Sequence, residues 1–212
     1  MTAADRPRLF DVDAAVSQAL LLFWEHGYEA TSLALLRTTL GISSASFYAA
    51  FGSKQALFER VLDRYMSGPG TVSAVVEDTT VPAREAVARL LHDSIRMQTD
   101  TSHPLGCLVA MSARMTGDKT PGPVLDSVLK LRQRDRLRIE RCIERAVERH
   151  ELRTDTDIRA LAGALYGFLL GVSTQARDGV NATDLSKAAD AALLGWDALA
   201  TQPRTRREQA LD

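Results

Sequence analysis

Ser43, Ser44, Ala45, Ser46, Tyr48 and Ala49, followed by Ser53 and Lys54, form a run of short hydroxyl and methyl side chains closed by one phenol and one amine. Hydroxyls at helix starts satisfy free backbone amides, and amides, phenols and ammonium groups all donate to anions such as phosphate. Side chains as small as Ser and Ala let a backbone approach base edges in a major groove, and being neutral they add little attraction of their own. The implied chemistry is recognition of double-stranded DNA. Ser43, Ser44, Ala45, Ser46, Tyr48 and Ala49 form the entering surface, while Ser32, Arg37, Tyr48 and Lys54 are placed to hold phosphates. Catalysis has no counterpart. The chain carries no Gly-x-Ser-x-Gly, no phosphate-binding glycine loop and no zincin motif, and it is not expected to be an enzyme. His26, His92, His103 and His150 lack a metal-ligand spacing, so neither a metal nor a cofactor is expected.

Such side chains need a rigid frame. No stretch alternates apolar and polar residues for long, whereas apolar residues recur at helical spacing throughout, which predicts an all-α fold of about nine helices. Asp11 opens a first helix burying Val12, Ala15, Val16, Ala19, Leu20 and Phe23 and stopping at Gly27. A short helix follows Thr31-Ser32, carries Leu33, Leu36 and Leu40, and ends at Gly41. Ser43 caps another, with Phe47 and Phe51, that ends at Gly52. Ser53 starts a fourth, with Leu57, Phe58, Val61, Leu62 and Tyr65. The two short helices and the Gly41-Ile42-Ser43 turn between them read as a helix-turn-helix. Gly41 can take the left-handed conformation such a turn needs, and Ile42 fills the space between the helices.

Residues 9 to 65 resemble the DNA-binding domain of TetR-family transcriptional regulators. The matching strings are Leu22-Phe23, Gly27-Tyr28, Thr31-Ser32, Leu40-Gly41-Ile42-Ser43, Ser46-Phe47-Tyr48 and Phe51-Gly52-Ser53-Lys54-Gln55-Ala56-Leu57-Phe58. The resemblance implies that Tyr48 and Lys54 touch phosphate and that Ser44 to Ser46 read bases. Two positions depart from the family pattern: Leu35 stands where a polar residue is common, and Ser44 where Lys or Pro often stands. The second departure leaves the operator sequence open. The resemblance further implies a helix-turn-helix domain over 9–52, a connecting helix over 53–66 and a helical ligand-binding and dimerisation domain over 67–202, with 203–212 expected to fray. The implied partners are a near-palindromic DNA operator, a second copy of the chain and an unidentified small-molecule effector that releases the repressor.

Beyond the fourth helix, Ser67-Gly68-Pro69-Gly70 begins an expected loop reaching Pro82. Helices are then predicted from Pro82 to about Gln98, Leu105 to Met115, Val124 to about His150, Asp155 to Arg177 and Thr183 to Ala200. Gly163, Gly167 and Gly171 are four apart, and with Leu193, Leu194 and Trp196 they are expected in a four-helix dimer interface; the alternative is packing of the same stripe within one chain. Tyr65, Met97, Cys107, Met111, Met115 and Phe168 are candidate lining for an adaptable ligand cavity, with ordinary core packing as the alternative. Cys107, near a predicted helix start, reads either as a thiol that senses oxidants or electrophiles or as a small buried hydrophobe. Cys142 reads as packing. Arg132, Arg134, Arg136, Arg138, Arg141, Arg145 and Arg149, interleaved with Asp135, Glu140, Glu144 and Glu148, read as a solvated face laced with ion pairs.

Composition limits the remaining possibilities. The 212 residues are 45% hydrophobic and 25% charged, with a net charge of -1, so no global positive field attracts nucleic acid or membrane. No apolar run is long enough to cross a bilayer, the first thirty residues lack a secretory pattern, and two cysteines cannot build a disulfide framework. A cytoplasmic location is expected. The rival from another class is a helical ligand carrier or protein-interaction module that does not bind DNA.

Overall fold

The computed structural model describes residues 10–112 and 122–201. Among them the chain forms α1 (Val12–Ala30), α2 (Leu33–Leu40), α3 (Ser44–Phe51), α4 (Lys54–Met66), a 3₁₀ helix (Pro69–Glu77), α5 (Ala83–Thr99), α6 (Leu108–Ser112), α7 (Pro123–Glu148), α8 (Ile158–Arg177) and α9 (Ala182–Asp197). The all-α expectation is therefore met. The only β pairing among the described residues is an isolated antiparallel bridge between Leu152 and Ala200. No helix among them is long and apolar enough to cross a membrane.

The chain divides into two compact units. One is Met1–Thr71 with Thr101–Leu131, and the other is Val72–Asp100 with Arg132–Asp212. In the first unit α1 packs chiefly against α4. Phe23, Phe47, Phe51, Leu57, Phe58, Val61, Leu62 and Tyr65 are buried between the helices. Phe23 meets Phe58 edge-on at 5.0 Å between ring centroids, and Trp24 meets Tyr65 edge-on at 4.9 Å. Arg64 joins the two helices at the surface, donating to Asp13 at 2.6 Å and to Ser17 at 2.9 Å. Inside α1, Gly27 leaves the helical region at φ 77° and ψ 170° without ending the element, so the predicted stop is a kink. Thr31, fully buried, closes it by donating to the Gly27 carbonyl at 2.7 Å.

α4, expected as the connecting helix, lies in the first unit, where its apolar stripe packs against α1. The short helix α6 joins the same unit. It begins at Leu108, not Leu105, because the preceding loop is held by Trp24: the indole N–H donates to the Gly106 carbonyl at 3.0 Å, and the His103 ring stacks on the indole at 4.3 Å. The expected extension of this helix to Met115, and the expected fraying of 203–212, lie outside the described residues.

The second unit has its own core, built by Val87, Leu90, Leu91 and Ile95 of α5, Ile139, Cys142 and Ile143 of α7, Leu161, Leu165 and Val172 of α8, and Leu185, Leu193 and Trp196 of α9. Arg84 of α5 is paired bidentately with Asp197 at the end of α9. The stretch expected as a loop after α4 is largely the 3₁₀ helix. Gly70 makes its start possible, since a Cβ there would lie 2.8 Å from both the Tyr65 ring and the Met66 sulfur. Within the second unit the later part of this helix is clasped by α7. Arg138 pairs with Glu77 at 3.1 Å, and Arg145 donates to the Val76 and Asp78 carbonyls at 3.2 and 3.3 Å. Arg149 reaches the Thr79 carbonyl at 3.2 Å. The arginine run is thus only partly the solvated face expected of it. Arg136–Glu140 is an intrahelical pair at 3.3 Å, but Arg138, Arg145 and Arg149 hold a neighbouring segment.

Candidate nucleic-acid interface

The frame of the candidate site is set by three successive serine caps. Ser32 accepts from the Leu35 amide at 3.1 Å, Ser43 from Ser46 at 3.1 Å and Ser53 from Ala56 at 3.0 Å, so α2, α3 and α4 each begin with a side-chain cap. Gly41 ends α2 in the left-handed region at φ 64°, and the Ile42 amide folds back onto the Arg37 carbonyl at 3.1 Å. That reversal turns the chain directly from α2 into α3.

α3 has two faces. Phe47 and Phe51 are buried, whereas Ser44, Ala45, Ser46, Tyr48 and Ala49 are exposed, Tyr48 by 52%. The buried rings are braced on several sides. Phe10 meets Phe51 edge-on at 5.9 Å, the Arg60 guanidinium lies 5.7 Å from the Phe51 ring, and Phe47 and Phe51 lie 5.4 Å apart. The outward face carries no charge. The Ser46 hydroxyl is 3.0 Å from that of Ser43, so these two act together at the cap, while Ser44, Ala45 and Ala49 present short side chains outward.

The expected phosphate ligands occupy different settings. Ser32 is at the N-terminus of α2 and Lys54 is the first residue of α4. The Lys54 ammonium lies 4.2 Å from the centroid of the Tyr28 ring, a cation–π contact that aims the amine from the end of α1. Partial burial pulls the Lys54 pKa below its ordinary value, and Glu29 opposes the fall. Burial, with Glu29 and Glu59, raises that of the Tyr28 phenol, which keeps the ring a neutral platform. Tyr28 is the residue sequence reasoning left without a role. Its signal lies in the three-dimensional pairing with Lys54, which no local spacing encodes. Arg37 sits in the last turn of α2, half-buried, with its Nε enclosed and unpartnered among the described residues.

The expected ligand-cavity residues fall in both units. Tyr65, Cys107 and Met111 belong to the first, and Met97 and Phe168 to the second; Met115 lies outside the described residues. Tyr65 and Cys107 are brought together, the phenol donating to the sulfur at 3.2 Å. Burial pushes the Cys142 thiol up, in keeping with packing.

In the expected dimer surface two residues need correction. Leu193 and Trp196 are buried at 3% and 1% exposure in their own subunit's core, so neither side chain is left for a partner. On the same helix Leu194 is 66% exposed. The glycine stripe of α8 lies open within the chain: a Cβ at Gly167 would meet nothing within 4 Å, and at Gly163 and Gly171 only the ends of Arg136 and Gln175, at 3.6 and 3.9 Å.

Comparison with known proteins adds to this geometry. Residues 15–61 match the model of the bacterial regulatory proteins of the tetR family, and residues 83–192 match a tetracyclin repressor-like C-terminal domain. The HTH-type transcriptional repressor ComR of Escherichia coli (strain K12) is 30% identical over 197 residues, covering 92% of each chain. The HTH-type transcriptional repressor BdcR of the same organism is 36% identical over 104 residues, 49% of this chain and 53% of BdcR. Among solved structures, a cysteine mutant of the TetR family transcriptional regulator CifR, complexed with 26-base-pair double-strand operator DNA, is 36% identical. It superposes with a TM-score of 0.82 over 90% of this chain and 100% of CifR.

Proposed function

The chain belongs to the TetR family of bacterial regulatory proteins, and from that premise we propose that it binds a near-palindromic operator as a homodimer and represses transcription until a small molecule releases it. The observation that carries the reading is the two-faced α3, with Phe47 and Phe51 locked inward and an uncharged surface of Ser44, Ala45, Ser46, Tyr48 and Ala49 turned outward. Such a helix has little else to read but base edges. Its neutrality assigns affinity to the flanks: the N-terminus of α2 behind Ser32, the Tyr48 hydroxyl and the Lys54 ammonium. Operator half-sites about 34–36 Å apart require two such helices, which makes pairing of subunits part of the function. The exposed Leu194 and the open stripe of Gly163, Gly167 and Gly171 support α8 and α9 as that pairing surface. The protein works by binding, without a catalytic step, and on DNA in the cytoplasm.

Release is a population shift. A coupling of about 1–3 kcal/mol between effector and operator changes occupancy roughly 5- to 150-fold. The direct test is binding of the purified protein to the duplex upstream of its own gene, followed by fluorescence anisotropy across a salt series. A preference for that duplex over scrambled DNA, with affinity falling steeply as salt rises, is expected. Equal indifference to every duplex in dilute salt, or a monomer at working concentration, overturns the reading. A second input is favoured by one contact. The Tyr65 phenol points its proton at the Cys107 sulfur, an arrangement that supports a thiolate reactive toward oxidants or electrophiles.

A further inference from the structure

We propose that Ser94 and Gln98 of α5 are the polar anchor of the effector site in the second unit, and that the effector is a neutral, largely apolar molecule bearing a hydrogen-bond acceptor such as a ketone or ester carbonyl. The proposal rests on reading the chain as an effector-released repressor and adds the chemical class of the effector.

The buried polar side chains of this unit, among the described residues, are Ser94, Gln98, Thr156 and Ser173. Thr156 is satisfied, donating to the Arg153 carbonyl at 2.7 Å. Ser173 of α8 is satisfied too, donating to the Gln98 side-chain carbonyl at 2.5 Å. That bond uses the acceptor of Gln98 and orients its amide group. The two N–H donors of the amide then have no acceptor among the described residues, and neither does the Ser94 hydroxyl. Both residues are more than nine-tenths buried, with Gln98 at 3% and Ser94 at 4% exposure.

Position and burial make these idle donors significant. Ser94 and Gln98 are four apart on α5, so they lie one above the other on a single face, with Cβ atoms about 5–6 Å apart. The fully enclosed unpartnered side-chain nitrogens among the described residues are Arg37 Nε and Arg145 Nε. The Gln98 amide nitrogen and the Ser94 hydroxyl are not among these enclosed atoms. Two neighbouring donors without a protein acceptor are available to a carbonyl on a bound molecule, and displacing water from them favours a ligand that reproduces its hydrogen bonds. The surroundings set the rest of the ligand. Among the described residues no charged residue counts as buried in this core, so an ionised head group would lose its hydration without gaining a fully buried counter-charge. Leu165 and Val172, with Phe168 and Leu169 packed against the same core, offer apolar contact to the body of the molecule.

Three probes with one aromatic body separate the possibilities: acetophenone carries a carbonyl, toluene no polar group and benzoate a charge. Binding to the full-length protein is read directly by calorimetry, and operator occupancy by anisotropy in parallel. Acetophenone is expected to bind about tenfold more tightly than either of the others, the value of one well-made hydrogen bond. Gln98→Leu should erase that advantage while toluene binding persists, and Ser94→Ala should reduce it. Ligand-free Gln98→Leu should lose only a little melting temperature, because the Ser173 hydroxyl keeps the Leu169 carbonyl as an acceptor at 3.4 Å, whereas a purely structural amide would cost the full penalty of a broken buried hydrogen bond. Should Gln98→Leu fail to fold, that failure counts against the proposal, and Ser94→Ala still reports on the preference. Equal binding of the three probes, preference for benzoate, binding of none, or an unchanged preference in Gln98→Leu overturns the anchor. Failure of the ligand-free protein to bind its operator would instead sink the repressor reading and leave the calorimetric result standing.

Discussion

The phenol of Tyr65, next to last in α4, donates to the sulfur of Cys107, just ahead of α6, at 3.2 Å. Tyr65 is buried at 1% exposure, with Trp24 edge-on to its ring and Gly70 closing against it. Because Trp24 also binds the Gly106 carbonyl and stacks on His103, the end of α4 and the loop carrying Cys107 share one aromatic cluster with α1. A donor to sulfur favours the thiolate. Tyr65→Phe, which removes that donor, is expected to slow alkylation of Cys107 by iodoacetamide about fivefold, for a hydrogen bond of about 1 kcal/mol. Mass spectrometry separates Cys107 from the buried Cys142. An unchanged rate would show that the bond does not tune the thiol.

Cys107→Ser keeps an acceptor for Tyr65 but removes the nucleophile. Operator affinity should be retained, and release of the protein from DNA by an electrophile such as N-ethylmaleimide should be lost. Release that persists in the variant would exclude Cys107 as its trigger.

Lys54→Ala and Tyr48→Phe should weaken binding to all duplexes alike, and Lys54→Ala should lower the slope of log affinity against log salt by about 1. Replacing Ser44 or Ala45 should instead change which sequence is preferred. An unaltered salt slope in Lys54→Ala would remove the amine from the phosphate contacts. Tyr28→Leu, which takes away the ring beneath that amine, should show a smaller loss in the same direction.

Asp135 of α7 is half-buried, and burial raises its pKa despite hydrogen bonds from Ser73 at 2.9 Å and Arg138 at 3.4 Å and the charge of Arg134. A carboxyl that is harder to ionise folded than unfolded destabilises above its folded pKa, and the cost disappears as pH falls toward the ordinary value of 3.8. Asp135→Asn is therefore expected to melt at a higher temperature than the unaltered chain at pH 7, with the difference shrinking as the pH is lowered toward 4. A difference that grows on acidification would refute the assignment.

Leu194→Glu should dissociate the dimer, read by sedimentation, with little change in far-ultraviolet circular dichroism, since Leu194 is 66% exposed. Trp196→Ala should instead cost about 3–5 kcal/mol of stability through the cavity it leaves in the second core. A dimer indifferent to Leu194→Glu would move the pairing surface elsewhere.

The helix starts are the most legible part of the fold, because a cap is a local event. Asp11, Ser32, Ser43 and Ser53 each bond an amide two or three residues ahead, a pattern visible in the string of letters. The outward face of α3 is legible for the same reason: Phe47 and Phe51 are four apart and fix its inner side. What escapes is whatever depends on a distant partner. Gly70 looks like part of a loop until the Tyr65 ring is placed beside it. Residues 105–107 have a helical pattern, but Trp24 claims the Gly106 carbonyl and holds them in a loop. Leu193 and Trp196 look like free apolar surface because sequence shows a stripe without showing what covers it. Arg138, Arg145 and Arg149 look solvated for want of any sign that the 3₁₀ helix lies alongside.

Since the rings that hold α3 in place all point inward, Ser44, Ala45 and Ala49 are spectators in folding. Related regulators could diverge at these three sites and acquire new target promoters without first acquiring compensating changes in the scaffold. A library randomised there would sample altered operator choice in a background of nearly constant stability, which makes this helix a natural starting point for retargeting the repressor.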